Sequence, residues 1–82
     1  MTAKAAKQLA ALPRKAQIQI ARKIDLLRFD TQPPGSKRLE GGTGFFRLAS
    51  GDYRIVYAVE RDGRIVVTVV RIGNRKDVYR NL

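Results

Sequence analysis

The second half of the chain carries arginines and a tyrosine at positions from which they can act together on a phosphate. Arg47, Arg54, Arg71 and Arg75 fall within or directly after segments of strand-like pattern, and Tyr79 follows them. Neighbouring strands lie about 4.8 Å apart, so strand-borne arginines can gather into one phosphate-sized cluster. Arginines with a tyrosine suit the attack of an RNA 2′-hydroxyl on the adjacent phosphate, because the arginines neutralise the charge that develops in the transition state.

Two purely structural interpretations of the same residues remain open at this point. Charged side chains on strands also prevent pairing with other chains, so the arginines could serve solubility alone. Tyr79 could seal the core instead of acting as a base. The sequence contains neither cysteine nor histidine, which excludes thiolate nucleophiles, imidazole bases, disulfides and the usual zinc ligands. We therefore expect no cofactor and no metal.

The chain is strongly basic, with 17 Lys and Arg against 7 Asp and Glu in 82 residues and a net charge of +10. Neither a small core nor ordinary solubility requires this excess, which favours a nucleic-acid partner over a merely solvated basic face. The strongly apolar run from Ile65 to Val70 is too short to span a bilayer, and the first residues lack a secretory pattern. We expect a cytoplasmic protein with no membrane partner.

Two helices are predicted ahead of the strands that carry the arginines. The first runs from Thr2 to Leu12, and Pro13 suits the first turn of a second helix that continues to about Phe29. The second helix has a basic side and an apolar stripe, which consists of Ala16, Ile20, Ile24 and Leu27. The Pro33-Pro34-Gly35 stretch ends helical structure and leads into a sheet.

Three strands are predicted in the rest of the chain, from Phe45 to Ala49, Tyr53 to Glu60 and Arg64 to Ile72. Ser50-Gly51-Asp52 and Arg61-Asp62-Gly63 are short enough to form hairpin turns, so the strands form an antiparallel meander. Alternate residues on the second and third strands give the sheet a buried side against the helices, and Arg54 falls on the opposite side. The chain is thus a single α+β domain over residues 1–82.

The order of elements and several motifs resemble the RelE/ParE superfamily of bacterial toxins. The motifs that carry the resemblance are Ala6-Lys7-Gln8-Leu9 with Leu12-Pro13, Lys37-Arg38-Leu39-Glu40-Gly41-Gly42, Phe46-Arg47-Leu48, Gly51-Asp52-Tyr53-Arg54-Ile55-Val56-Tyr57 and Val70-Arg71-Ile72-Gly73-Asn74-Arg75-Lys76-Asp77-Val78-Tyr79. They cover nearly the whole chain, and the two longest are the most specific. The resemblance implies a helical hairpin packed on a twisted antiparallel sheet, together with a cognate antitoxin that forms a hetero-oligomer with the toxin.

The resemblance to RelE-type members implies that the protein is a ribosome-dependent endoribonuclease, which cleaves mRNA without a metal and so inhibits translation. The implied catalytic residues are Arg47, Arg54, Arg75 and Tyr79: Arg54 and Arg75 as phosphate clamps, Arg47 in support or proton transfer, and Tyr79 as base or stacking partner. Arg47 stands where a lysine is usual and Phe45 where some members have a second one. The basic residues expected to bind RNA or the ribosome are Arg14, Lys15, Arg22, Lys23, Lys37, Arg38, Arg71 and Lys76.

Two further expectations follow from the resemblance. Members usually open with a short apolar strand before the first helix, and this strand is missing here, so we expect a sheet position open to an antitoxin strand or a second copy. The alternative function is ParE-like inhibition of DNA gyrase without RNA cleavage. The set Arg54, Arg75 and Tyr79 favours the ribonuclease, because ParE-like members tend to lack it.

Overall fold

The computed structural model describes residues 1–41 and 44–80, which form two helices and a four-stranded sheet. Helix α1 spans Ala3–Ala10 and helix α2 spans Arg14–Leu26. The Thr2 side chain caps α1 by accepting a hydrogen bond from the Ala5 amide at 3.2 Å. The predicted helical hairpin is confirmed, although both helices are shorter than predicted. Gly42, the last residue of one quoted motif, lies outside the described residues.

The sheet is an antiparallel meander in the order β1-β2-β3-β4. Its strands are β1 (Ser36–Arg38), β2 (Phe45–Ser50), β3 (Tyr53–Arg61) and β4 (Ile65–Asn74). The prediction of three strands was wrong by one, because β1 has only three residues and none is apolar. Its pairing with β2 defines it as a strand, and no alternating pattern in the sequence indicates that pairing. The described residues before α1 contain no strand.

The core lies between the helices and one face of the sheet, which we call the inner face. Its members are the buried residues Ala5, Ile20, Leu27, Phe46, Leu48, Ile55, Tyr57, Val69 and Ile72. The predicted apolar stripe of α2 is confirmed, since Ala16, Ile20 and Leu27 are buried and Ile24 packs beside them. The Tyr57 hydroxyl donates a hydrogen bond of 2.7 Å to the Thr31 carbonyl and so ties β3 to the segment after α2.

Helix α1 packs on β4, the strand at one edge of the sheet. The Thr2 amide donates to the Val69 carbonyl at 2.9 Å, and the Ile72 amide donates to the Gln8 side-chain oxygen at 2.9 Å. These contacts cover the second half of the β4 edge, but in the described part of the chain no strand pairs with Ile65–Val67 from outside. The start of α1 is therefore held by the last strand of the sheet.

Candidate active site

A row of basic residues crosses the outer face of the sheet, the face turned away from the helices. Lys37 pairs with Arg47, Arg47 pairs with Val56, and Val56 pairs with Arg71, so all four stand on one face. We call Lys37, Arg47 and Arg71 the basic row. With strands about 4.8 Å apart, Lys37 and Arg47 are direct neighbours, and Arg71 lies about 10 Å from Arg47 across Val56. The sequence did not predict the place of Lys37, because β1 was not predicted.

A β-bulge in β4 brings Arg71 into this row. The register shifts between Val56 and Tyr57, since Val56 pairs with Arg71 whereas Tyr57 pairs with Val69. Val70 is therefore the extra residue, and side-chain alternation reverses beyond it. Without the bulge, Arg71 would share the inner face with Val69, and Ile72 would be on the outer one. The bulge thus places Arg71 on the outer face and Ile72 in the core.

Arg54 lies in the next row of the outer face, where it pairs with Ala49 on one side and Gly73 on the other. Its Nη1 atom donates to the Gly51 carbonyl at 2.8 Å and to the Tyr53 carbonyl at 2.9 Å, which fixes the guanidinium over the β2–β3 turn. A guanidinium has five N–H donors in a planar fork. The edge formed by Nε and Nη2 therefore stays available for bidentate contact with a phosphate.

The segment after β4, which we call the 75–80 turn, is anchored beside the same rows. The Arg75 amide donates to the Asp52 carbonyl at 2.9 Å. Val78 is buried, and its Cβ lies 3.6 Å from the point where a Cβ on Gly73 would stand. Arg71 donates from Nη1 to the Arg80 carbonyl. A large side chain at position 73 would displace Val78, so a glycine here allows the turn to approach the sheet.

The 75–80 turn carries two of the four implied catalytic residues. Arg75 is exposed, and Tyr79 is 37% exposed rather than buried in the core. Val78 is the residue that seals this end of the outer face, which speaks against a core-sealing role for Tyr79. Residue types and spacing could indicate Arg75 and Tyr79. Their anchor, Gly73, directly follows the predicted third strand and lies inside β4 in the structure.

Four basic residues on or beside the outer face have no carboxylate partner among the described residues. Among residues 1–41 and 44–80 the ion pairs are Arg28–Asp25 and Arg80–Asp77, both exposed. No carboxylate of the described residues pairs with Lys37, Arg47, Arg54 or Arg75. Like charges directly opposite each other on neighbouring strands are destabilising. The Lys37–Arg47 pair is therefore explained better by an anionic ligand than by stability.

The structure does not bring every predicted nucleic-acid-binding residue to this face. Arg38 lies on the inner side of β1, with its guanidinium 5.3 Å from the centre of the Phe46 ring. Lys76 is exposed in the 75–80 turn. The remaining four lie on α2, in the helical layer behind the sheet: Arg14, Lys15 and Arg22 are exposed, and Lys23 is half-buried. The predicted residues that the structure brings to the outer face are Arg47, Arg54, Lys37 and Arg71, with the 75–80 turn beside them.

Outside this face the described residues include a groove but no cluster of metal ligands. No three acidic side chains come close enough together to hold a metal ion. A groove of about 630 Å³ lies between the end of α2 and the inner side of β4, with Ile24, Leu27, Phe29, Ile65 and Val67 among its lining residues. No helix in the described part is both long and apolar enough to cross a membrane.

Comparison with known families identifies a relationship over almost the whole chain. Residues 1–79 match the family model described as the ParE toxin of type II toxin-antitoxin system, parDE. The matched span includes both helices, all four strands and the 75–80 turn up to Tyr79. No curated protein matches the chain.

Proposed function

The chain belongs to the ParE toxin family of type II toxin-antitoxin systems, and we propose that it acts by cutting messenger RNA on the ribosome. It is thus a toxin with a cognate antitoxin, and the proposal concerns its target. The RelE-type and ParE-type members of the superfamily differ in whether they cleave RNA or inhibit gyrase, so the proposal depends on this chain's own residues. The observation that carries the proposal is the outer face: on or beside it, four cations have no carboxylate partner among the described residues, namely Lys37, Arg47, Arg54 and Arg75.

The proposed reaction is transesterification at a phosphodiester. The 2′-oxygen attacks the adjacent phosphorus and loses its proton, the bond from phosphorus to the 5′-oxygen breaks, and that oxygen gains a proton. The products are a 2′,3′-cyclic phosphate and a 5′-hydroxyl end. Arg54 and Arg75 hold the phosphate oxygens and stabilise the added negative charge, and Arg47 adds positive charge between them and β1. Tyr79 accepts the 2′-proton or stacks on the base.

The fixed orientation of Arg54 supports its assignment as the main clamp. Its two hydrogen bonds to backbone carbonyls hold the guanidinium before substrate arrives, so little rotamer entropy remains to be lost on binding. Preorganised donors of this kind stabilise charge without rearrangement during the reaction. Arg54→Ala should therefore lower cleavage by about a hundredfold or more, the usual effect of removing one such donor.

The test is a cell-free translation reaction with purified protein, in which mRNA ends are mapped by primer extension. The variants are Arg54→Ala and Tyr79→Phe, and Arg64→Ala is the matched control, because Arg64 is exposed at the distant β3–β4 turn. We expect cuts that need ribosomes, weaken in both site variants and persist in the control. Intact mRNA in the presence of folded wild-type protein would refute the ribonuclease.

Inhibition of DNA gyrase is the second candidate, and the match to the ParE family model favours it. This activity would depend on protein contacts and would not need the 2′-hydroxyl chemistry of the outer face. A supercoiling reaction with purified gyrase distinguishes the two functions. Inhibition that survives Arg54→Ala and Tyr79→Phe, together with intact mRNA in the translation reaction, would establish the gyrase target.

A further inference from the structure

The proposed reaction needs a proton donor for the leaving 5′-oxygen, and the arginines of the site are poor donors. The pKa of a guanidinium lies above about 12, so it stays protonated throughout the reaction. The sequence contains no histidine. If Tyr79 removes the 2′-proton, another side chain has to protonate the leaving group. An ammonium group meets this need, since a lysine carries protons that it can transfer.

Lys37 is the lysine that the sheet places beside the arginines. It stands directly opposite Arg47, on the same face and exposed. Directly opposite residues have Cβ atoms about 5 Å apart, which lets both side chains reach one phosphate. Within the described residues Lys37 has no carboxylate partner. Its charge is thus free to act on a substrate.

The position of Lys37 relative to Tyr79 matches the geometry of the reaction. In such a displacement the attacking and leaving oxygens lie on opposite sides of the phosphorus. Lys37 is on β1 at one edge of the sheet, whereas the 75–80 turn is anchored on β4 at the other. These strands lie about 14 Å apart, with Arg47 and Arg54 on the strands between them. A phosphate held by Arg54 and Arg75, with Arg47 between them and β1, therefore has Tyr79 on one side as the base and Lys37 on the other as the acid.

Lys76, the other lysine near this face, lies on the wrong side for this role. It belongs to the 75–80 turn, where its amide donates to the Asn74 side-chain oxygen at 2.9 Å. It therefore approaches from the same side as Tyr79. We infer that Lys37 is a catalytic residue that donates a proton to the leaving 5′-oxygen as the phosphorus–oxygen bond breaks. This inference rests on the proposed ribonuclease function.

The test compares two mRNA substrates, one normal and one with a sulfur in place of the bridging 5′-oxygen at the cleaved position. A thiolate leaves readily without a proton, so the sulfur substrate does not need the acid. Lys37→Arg keeps the charge but cannot donate, and Lys37→Met removes both. Lys4→Met, at an exposed position on α1, is the matched control. Circular dichroism verifies that each variant is folded.

We expect Lys37→Arg and Lys37→Met to cleave the normal substrate about a hundredfold or more slowly, the lower range for a lost general acid. On the sulfur substrate both should approach the wild-type rate, and Lys4→Met should match wild type on both. If Lys37→Arg cleaves the normal substrate at the wild-type rate, Lys37 is not the donor. If the Lys37 variants are equally slow on both substrates, Lys37 only binds phosphate and the inference is wrong. If the wild type cleaves neither substrate, the proposed ribonuclease function itself is wrong.

Discussion

If the proposed ribonuclease binds RNA through its outer face, the number of cations on that face sets the salt dependence of binding. Five basic side chains stand there or beside it: Lys37, Arg47, Arg54, Arg71 and Arg75. Each phosphate contact on a single strand contributes about 0.7 to the slope of log affinity against log salt, so five contacts give a slope of about −3.5. Affinity should therefore fall roughly a hundredfold between about 50 and about 200 mM salt.

Fluorescence anisotropy with a labelled single-stranded oligoribonucleotide measures this slope directly. Arg54→Ala should reduce it to about −2.8, because one phosphate contact is lost, while Arg64→Ala should leave it unchanged. If the four basic residues of α2 also contacted RNA, nine contacts would give a slope of about −6.3. A slope that is the same in Arg54→Ala as in wild type would refute the placement of Arg54 against a phosphate.

Three further predictions concern the parts of the fold that support the site. Tyr57→Phe removes the hydrogen bond to Thr31 and should lower the free energy of unfolding by about 1 kcal/mol, measured by urea denaturation. Burial and the nearby Asp30 carboxylate raise the pKa of Tyr57 above 10.0. The neutral hydroxyl therefore contributes to the free energy of unfolding below pH 10, and this contribution is lost as pH rises through the folded-state pKa. Urea midpoints should fall more steeply above pH 10 in wild type than in Tyr57→Phe. Val78→Ala leaves a cavity at a buried position and should lower the free energy of unfolding by about 2 kcal/mol. Under conditions where this variant is folded, its rate of mRNA cleavage should fall because Tyr79 is less firmly placed. An unchanged cleavage rate would show that the contact between Val78 and Gly73 does not position the turn.

The helices and hairpins could be predicted from the sequence because their signals are local. The stripe of Ala16, Ile20 and Leu27 has helical spacing, and these residues are buried. Gly51 adopts a positive φ of 59° in the β2–β3 turn, as a glycine between two strand patterns suggests. Each of these features depends on residues close together in the chain. Local patterns were therefore sufficient to predict the α+β fold.

The short strand β1 and the bulge were not predicted because neither has a local signal. Ser36–Arg38 is polar throughout and becomes a strand only through its pairing with β2. The run of valines around Thr68 is apolar on both faces, so a reversal of alternation at Val70 leaves no visible break. The types of the site residues could therefore be identified from the sequence. Which of them share a face depends on the register between strands, and this is why the sequence predicts only general RNA binding for Lys37.

The docking of α1 on β4 has a consequence for how quickly the protein folds. The hydrogen bonds of Thr2 with Val70 and of Gln8 with Ile72 join residues 68 and 64 positions apart. Contacts between such distant residues slow folding, because the entropy of loop closure is lost before they form. During synthesis α1 emerges before β4 has been made, so the apolar side of α1 stays exposed to solvent until β4 forms. The outer face is completed only after β4 and the 75–80 turn are synthesised, so its basic residues come together late in the synthesis of the chain.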